Sequence, residues 1–83
     1  MEFYYFNKNL TELIIPDDIH SMYCHDNQLT ELLIPDNLLH LYCESNNIKE
    51  LFLNHKLYRL DCDLFVCVNN ININIKDLTI MFF

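Results

Sequence analysis

Apolar residues return along this chain in a frame nineteen positions long. One shift carries Ile19 to Leu38 to Leu57, Met22 to Leu41 to Leu60, and Leu10 to Leu29 to Ile48. It also carries Leu13 to Leu32 to Leu51 and Ile15 to Ile34 to Leu53, and superposes Cys24, Cys43 and Cys62, and Pro16 on Pro35. A period near twenty marks a solenoid, in which each repeat buries its apolar face against its neighbours. Residues two apart in an extended segment share a face, so Leu41 and Cys43 point inward while Tyr42 points out. One strand per repeat, stacked in parallel at roughly 4.8 Å, then makes inward columns of Met22/Leu41/Leu60 and Cys24/Cys43/Cys62.

The polar positions fit the same frame. Asn27 and Asn46 fall at the bend out of each strand, where a side chain that both donates and accepts can satisfy stranded main-chain groups. Leu13, Ile15 and their equivalents line a return segment. Pro16 and Pro35, each followed by Asp, suit a turn better than a helix. Ile14, Leu33 and Phe52 form a further column covering the outer side of the return. Phe3 and Tyr5 fall in phase with Met22 and Cys24, so the first strand is expected at the start of the chain. After residue 64 the register slips: "NNININIK" alternates with period two, and Leu78, Met81 and Phe83 restart the pattern 21 positions after Leu57. The expected organisation is one domain over 1–83, with repeats near 3–18, 19–37, 38–56 and 57–75 and a partial one over 78–83.

Read from Leu38 the segment is L-x-x-L-x-C-x-x-N-x-I, and from Ile19 it is I-x-x-M-x-C-x-x-N-x-L. This pattern resembles that of the leucine-rich repeat family, L-x-x-L-x-L-x-x-N/C-x-L. A third copy, Leu57, Leu60, Cys62 and Cys67, departs from it by placing Phe65 where the asparagine belongs. The run "IPDNLLHLYCESNNIKEL" is most similar to the short proline-containing repeats of bacterial effectors and giant DNA viruses. The resemblance spans residues 3 to 67. It implies a repeat solenoid with a parallel β-strand per repeat and irregular or 3-10 return segments, about three repeats plus a partial fourth.

Composition narrows the function classes. A net charge of −7 with five Lys and Arg leaves no basic stripe for phosphates, which argues against nucleic acid and anionic membranes as partners. No apolar run approaches the ~18 residues of a membrane span, and the start lacks a positive leader region. A cytoplasmic protein is therefore expected, in the host cytoplasm if the chain is viral. Glycine is absent, so turns that need positive φ must use Asn or Asp.

Candidate chemistry is sparse. Three thiols in register could hold a soft metal ion, but no C-x-x-C is present and no histidine stands at ligand spacing. Stacked neighbours would also place their Cβ atoms about 4.8 Å apart with parallel bonds, which suits a disulfide poorly. Cys24, Cys43 and Cys62 therefore read as a buried, reduced ladder, alongside the structural ladder of Asn27 and Asn46. Cys24 and His25 face opposite sides of a strand and cannot form a dyad. His40 and Cys43, three apart, fail for the same reason. Ser21 and Ser45 lack a base and acid around them. Asp17/Asp18 and Asp61/Asp63 read as turn and solvated surface carboxylates. No catalytic residue, metal or cofactor is expected.

The outward strand positions are more informative. Tyr4, Tyr23 and Tyr42 occupy one column, continued by Asp61, with Ser21, His40 and Arg59 on one side and Phe6, His25, Glu44 and Asp63 on the other. Tyrosine is enriched at interfaces because it buries a large ring while its hydroxyl stays available to a polar partner. Aromatic residues also pair along strands without any partner. The leucine-rich repeat resemblance implies binding through the concave strand face, making Tyr4, Tyr23, Tyr42, His40, Arg59, Glu44 and Asp61 the candidate contacts. The expected function is non-catalytic protein binding. The alternatives are a substrate-recognition subunit of a ubiquitin-ligase-like system, and a structural repeat fragment that self-associates through its open ends.

Overall fold

The computed structural model describes residues 2–64, 66–69 and 76–81. Among the described residues seven strands form: β1 (Glu2–Tyr4), β2 (Ser21–Tyr23), β3 (His40–Tyr42), β4 (Glu50–Phe52), β5 (Arg59–Asp63), β6 (Cys67–Asn69) and β7 (Asp77–Met81). A five-stranded sheet runs β1-β2-β3-β5-β7, and β4 pairs with β6 in a second, two-stranded sheet. Every pairing is parallel. The architecture is a parallel β-solenoid of about four turns, with no helix among the described residues.

The period of nineteen becomes the sheet register directly. Phe3, Met22, Leu41 and Leu60 pair in sequence, as do Tyr4, Tyr23, Tyr42 and Asp61. Met22, Leu41 and Leu60 are wholly buried, and Cys24, Cys43 and Cys62 lie beneath them as free, buried thiols. Ile19, Leu38 and Leu57 close the core at strand entry, while Leu29, Ile48, Leu32 and Leu51 fill it from the return side. Burial pushes the thiols away from the reactive thiolate form: Cys24 is raised to about 12, Cys62 to about 11, and Cys43 well above its ordinary value.

The asparagines hold adjacent coils together. Asn27 Oδ1 accepts from the amides of Lys8 (3.0 Å) and Leu10 (2.9 Å), and its Nδ2 donates to the carbonyls of Tyr5 (2.7 Å) and Cys24 (3.0 Å). Asn46 repeats this one coil on, accepting from Leu29 N and donating to Cys24 O and Cys43 O. In the third coil the sequence lacks this asparagine. There Asp63 turns its carboxylate onto the amides of Ser45 (2.7 Å) and Asn46 (3.1 Å). Among the described residues positive φ falls just before Asn27 and Asn46, at Asp26 (57°) and Ser45 (57°), and in the first coil at Asn7 (54°) and Asn9 (55°). Three of the four match the expectation for a chain without glycine. Ser45 departs from it, held there by the Asp63 carboxylate on its amide.

Strand entry has its own repeated device. The carbonyl of His20 accepts from both Leu39 N and His40 N, that of Leu39 from Tyr58 N and Arg59 N, and that of Tyr58 from Lys76 N and Asp77 N. Before it comes the turn. Pro16 O accepts from Ile19 N and Pro35 O from Leu38 N, so each proline opens its turn and the two residues after it form the bend. The frame puts Asn54 in the next proline position, where its Nδ2 donates to Pro35 O and Leu38 O, a side-chain link to the coil above.

Two sequence alignments are corrected beyond residue 64. Cys67, placed in the Ile48 column by the shift of nineteen, instead pairs with Glu50 in register, an offset of 17. Leu78, aligned to Leu57 by a shift of 21, pairs with Leu60, an offset of 18. The third coil is thus two residues shorter through its bend and regains one before β7. The return segments also become more regular down the stack: residues 10–15 carry no strand, whereas β4 and β6 pair. The "NNININIK" segment lies largely outside the described residues, as does Phe83.

Replacing Asn27 by Ala strands the amides of Lys8 and Leu10 and the carbonyl of Tyr5, while Cys24 O keeps Asn46 Nδ2 as its donor. The expected loss is about 3 kcal/mol, read as a lower midpoint in chemical denaturation. Asn37, an exposed turn residue whose Oδ1 accepts from Lys56 Nζ, should change stability by less than about 0.5 kcal/mol on the same replacement.

Candidate functional site

Parallel register forces like residues into contact on the outer face of the sheet. The rings of Tyr4 and Tyr23 stack with centroids 4.7 Å apart and planes 10° from parallel; those of Tyr23 and Tyr42 stack at 4.5 Å and 6°. Arg59 continues the column, its guanidinium carbon 5.5 Å from the Tyr42 ring centroid. The next residue of the tyrosine column, Asp61, holds that guanidinium: Arg59 Nε donates to Asp61 Oδ1 at 2.9 Å. At the other end Glu2 accepts from the Tyr4 hydroxyl at 2.7 Å and from the Tyr23 hydroxyl at 3.5 Å. The hydrogen bond to Glu2 is the main reason the Tyr4 phenol rises to about 12, so Tyr4 stays protonated throughout the physiological range.

The flanking columns differ in character. On one side Ser21 Oγ lies 2.8 Å from His40 Nδ1, and His40 meets the edge of Tyr58. On the other, Phe6 stacks on His25 at 4.8 Å. His25 Nδ1 faces Glu44 Oε1 at 3.7 Å, and neither atom has a hydrogen-bond partner although both are shielded from water. Desolvation raises the Glu44 carboxyl to about 7, aided by the charges of Asp61 and Asp26 and opposed by a main-chain hydrogen bond.

The predicted residues therefore fall into distinct groups. Tyr4, Tyr23, Tyr42 and Arg59 form one continuous stack. Glu44 borders it beside His25, and His40 borders it on the opposite flank. Asp61 is 8 % exposed, and its carboxylate serves Arg59. The expectation that Asp61 and Asp63 are turn or solvated surface groups is thus corrected, since one neutralises a stacked cation and the other binds main-chain amides. Sequence reasoning missed both roles and the Glu2 contact. The Arg-x-Asp spacing in a strand, which puts both residues on one face, is the signal that could have found the Arg59–Asp61 pair.

Ring faces within the stack are occupied by one another. What the column offers outward is a row of ring edges and hydroxyls, with Tyr4 about half exposed. Among the described residues no group of three or more His, Cys, Asp or Glu side chains is placed to hold a metal ion, and no helix is long and apolar enough to cross a membrane. No family model, curated protein or solved structure matches the chain.

Glu44 has a pH consequence. Its carboxyl binds a proton more tightly folded than unfolded, so between its ordinary value of 4.5 and about 7 the folded chain holds the extra proton. Stability contributed by protonated Glu44 is therefore lost as pH rises through that window. Glu44→Gln should raise the melting temperature at pH 8 and flatten its slope between pH 5 and 8. The gain is on the order of 1 kcal/mol, modest because the carboxyl keeps partial access to water.

Proposed function

We propose that this solenoid is a non-catalytic interaction module that binds a protein partner through the outer face of its five-stranded sheet. The observation that carries this reading is the Tyr4–Tyr23–Tyr42–Arg59 stack. Ring-on-ring contact and the Asp61 clamp fix four side chains in advance, so a partner orders few rotamers on binding. Tyrosine and arginine are also the residue types that dominate interface energetics. His40 and Glu44 supply polar contacts on the two flanks.

The L-x-x-L-x-C-x-x-N-x-I motif, its strand-per-repeat layout and its asparagine ladder support kinship with leucine-rich repeats, and the proline-containing form supports an effector-like or giant-virus type. Strand-face recognition is then the family's habit applied to this chain. Buried free thiols support residence in a reducing cytoplasm. Self-association is a second reading, favoured by β1 and β7 standing at the two ends of the described sheet. Light scattering over a dilution series distinguishes it, since an interaction module stays monomeric at every concentration.

Tyr23→Ser combined with Tyr42→Ser should abolish affinity capture of the partner while lowering stability by about 1–3 kcal/mol through the lost stacking. Tyr23→Phe with Tyr42→Phe keeps the stack and should lose only the hydroxyl contribution. Undiminished capture by the folded serine variant would place the binding face elsewhere.

A further inference from the structure

The return segments carry a second periodic surface, independent of the tyrosine face. Leu13 and Ile15, Leu32 and Ile34, and Leu51 and Leu53 turn inward to the core. Alternation then points Glu12 and Ile14, Glu31 and Leu33, and Glu50 and Phe52 outward, and all six are exposed. Ile14 is 90 % exposed, Leu33 88 % and Phe52 59 %. Single exposed apolar residues are ordinary in a folded chain, but three at the same position of successive coils form a ridge, and such patches mark interaction sites.

The surroundings of the ridge are acidic. The shift of nineteen that aligns Ile14, Leu33 and Phe52 also aligns Glu12, Glu31 and Glu50 beside them. An open groove of about 450 Å³ between the first two coils is lined by Glu12, Ile14, Glu31 and Leu33 among others. On the opposite flank a second groove of about 280 Å³ is lined by Ile14, Leu33, Pro35 and Asp17 among others. Both grooves are therefore apolar at the ridge and acidic at the rim.

We propose that this ridge docks an amphipathic helix whose apolar stripe is flanked by Lys or Arg, with the helix axis running along the stack of coils. A helix rises ~5.4 Å per turn and the coils repeat at ~4.8 Å, so side chains at i, i+3 or i+4, and i+7 meet Ile14, Leu33 and Phe52 in turn. Basic residues beside that stripe meet Glu12, Glu31 and Glu50. Charge selects this occupant over two others. A second copy would set acidic column against acidic column in a chain already at −7, and an anionic lipid surface would be repelled in the same way.

The test titrates the full chain against a fluorescein-labelled synthetic helix of about fourteen residues, with leucine at the stripe positions and lysine beside them. A charge-reversed peptide carries glutamate in place of lysine. Anisotropy should show the lysine peptide binding at least about tenfold more tightly than the glutamate peptide. Leu33→Ser should weaken it by about tenfold or more, and Glu12→Lys with Glu31→Lys should reverse the preference between the peptides. These positions are exposed, and circular dichroism checks that each variant stays folded. Unchanged affinity in Leu33→Ser, retained preference for the lysine peptide in the double lysine variant, or dimerisation of the wild-type chain that Leu33→Ser disperses would each overturn the proposal.

Discussion

The fold rests on one constraint: every coil must hand its main-chain hydrogen bonds to the next coil, because among the described residues no helix or hairpin absorbs them locally. A strand of three residues cannot satisfy the bends on either side of it, and a buried amide or carbonyl without a partner costs about 1–3 kcal/mol. Asn27 and Asn46 meet this need at the exit from the strand, each bridging amides and carbonyls of adjacent coils. The paired amides on His20 O, Leu39 O and Tyr58 O meet it at the entry. Since these bonds cross coils, each coil's length must match its neighbour's. That is the physical origin of the nineteen-residue period.

Where the asparagine disappears, the period fails with it. Asp63 carries out part of the task from a different position, since a carboxylate can accept from two amides but donates to no carbonyl. With donation to the carbonyls removed, the bend of the third coil has no reason to keep its length, and the offsets fall to 17 and then 18. The sequence therefore disclosed the strand register as far as Asp61 and the return of a strand near residue 78, but not the offset at which that strand pairs. The inward columns could be read because apolar periodicity is the strongest local signal. The slips at Cys67 and Leu78 could not, because both lie in regions where several apolar alignments are equally good and only main-chain bonding chooses among them.

The candidate site was legible to a similar depth. Its columns follow from register alone, so Tyr4, Tyr23, Tyr42 and the flanking residues were placed correctly relative to one another. Their pairings were not legible, because they depend on side-chain reach rather than on position. Arg59 could have extended into solvent; the Asp61 carboxylate on the same face of the strand draws it over Tyr42 instead. Glu44 occupies an outward position that pattern reading treats as solvated, yet it is half-buried beside His25, and that burial lifts its carboxyl to about 7.

A parallel solenoid multiplies whatever chemistry occupies a column. Apolar, amide and aromatic columns gain from this, because thiols pack, amides bridge and rings stack at the coil spacing. A carboxylate column gains nothing, since two like charges about 5 Å apart in water repel by nearly 1 kcal/mol. Glu12, Glu31 and Glu50 are such a column, and they adjoin Ile14 and Leu33, the most exposed aliphatic residues among those described. Neither feature serves the core, and each would be less costly on a randomised surface. Their adjacency is what a basic amphipathic partner would relieve, covering the apolar ridge and neutralising the acidic column in a single contact. The tyrosine column is the opposite case, already satisfied by its own stacking. The two faces therefore differ in kind: one presents rigid ring edges arranged in advance, and the other an exposed apolar ridge beside an acidic column, in which Glu50 accepts from Asn69 Nδ2.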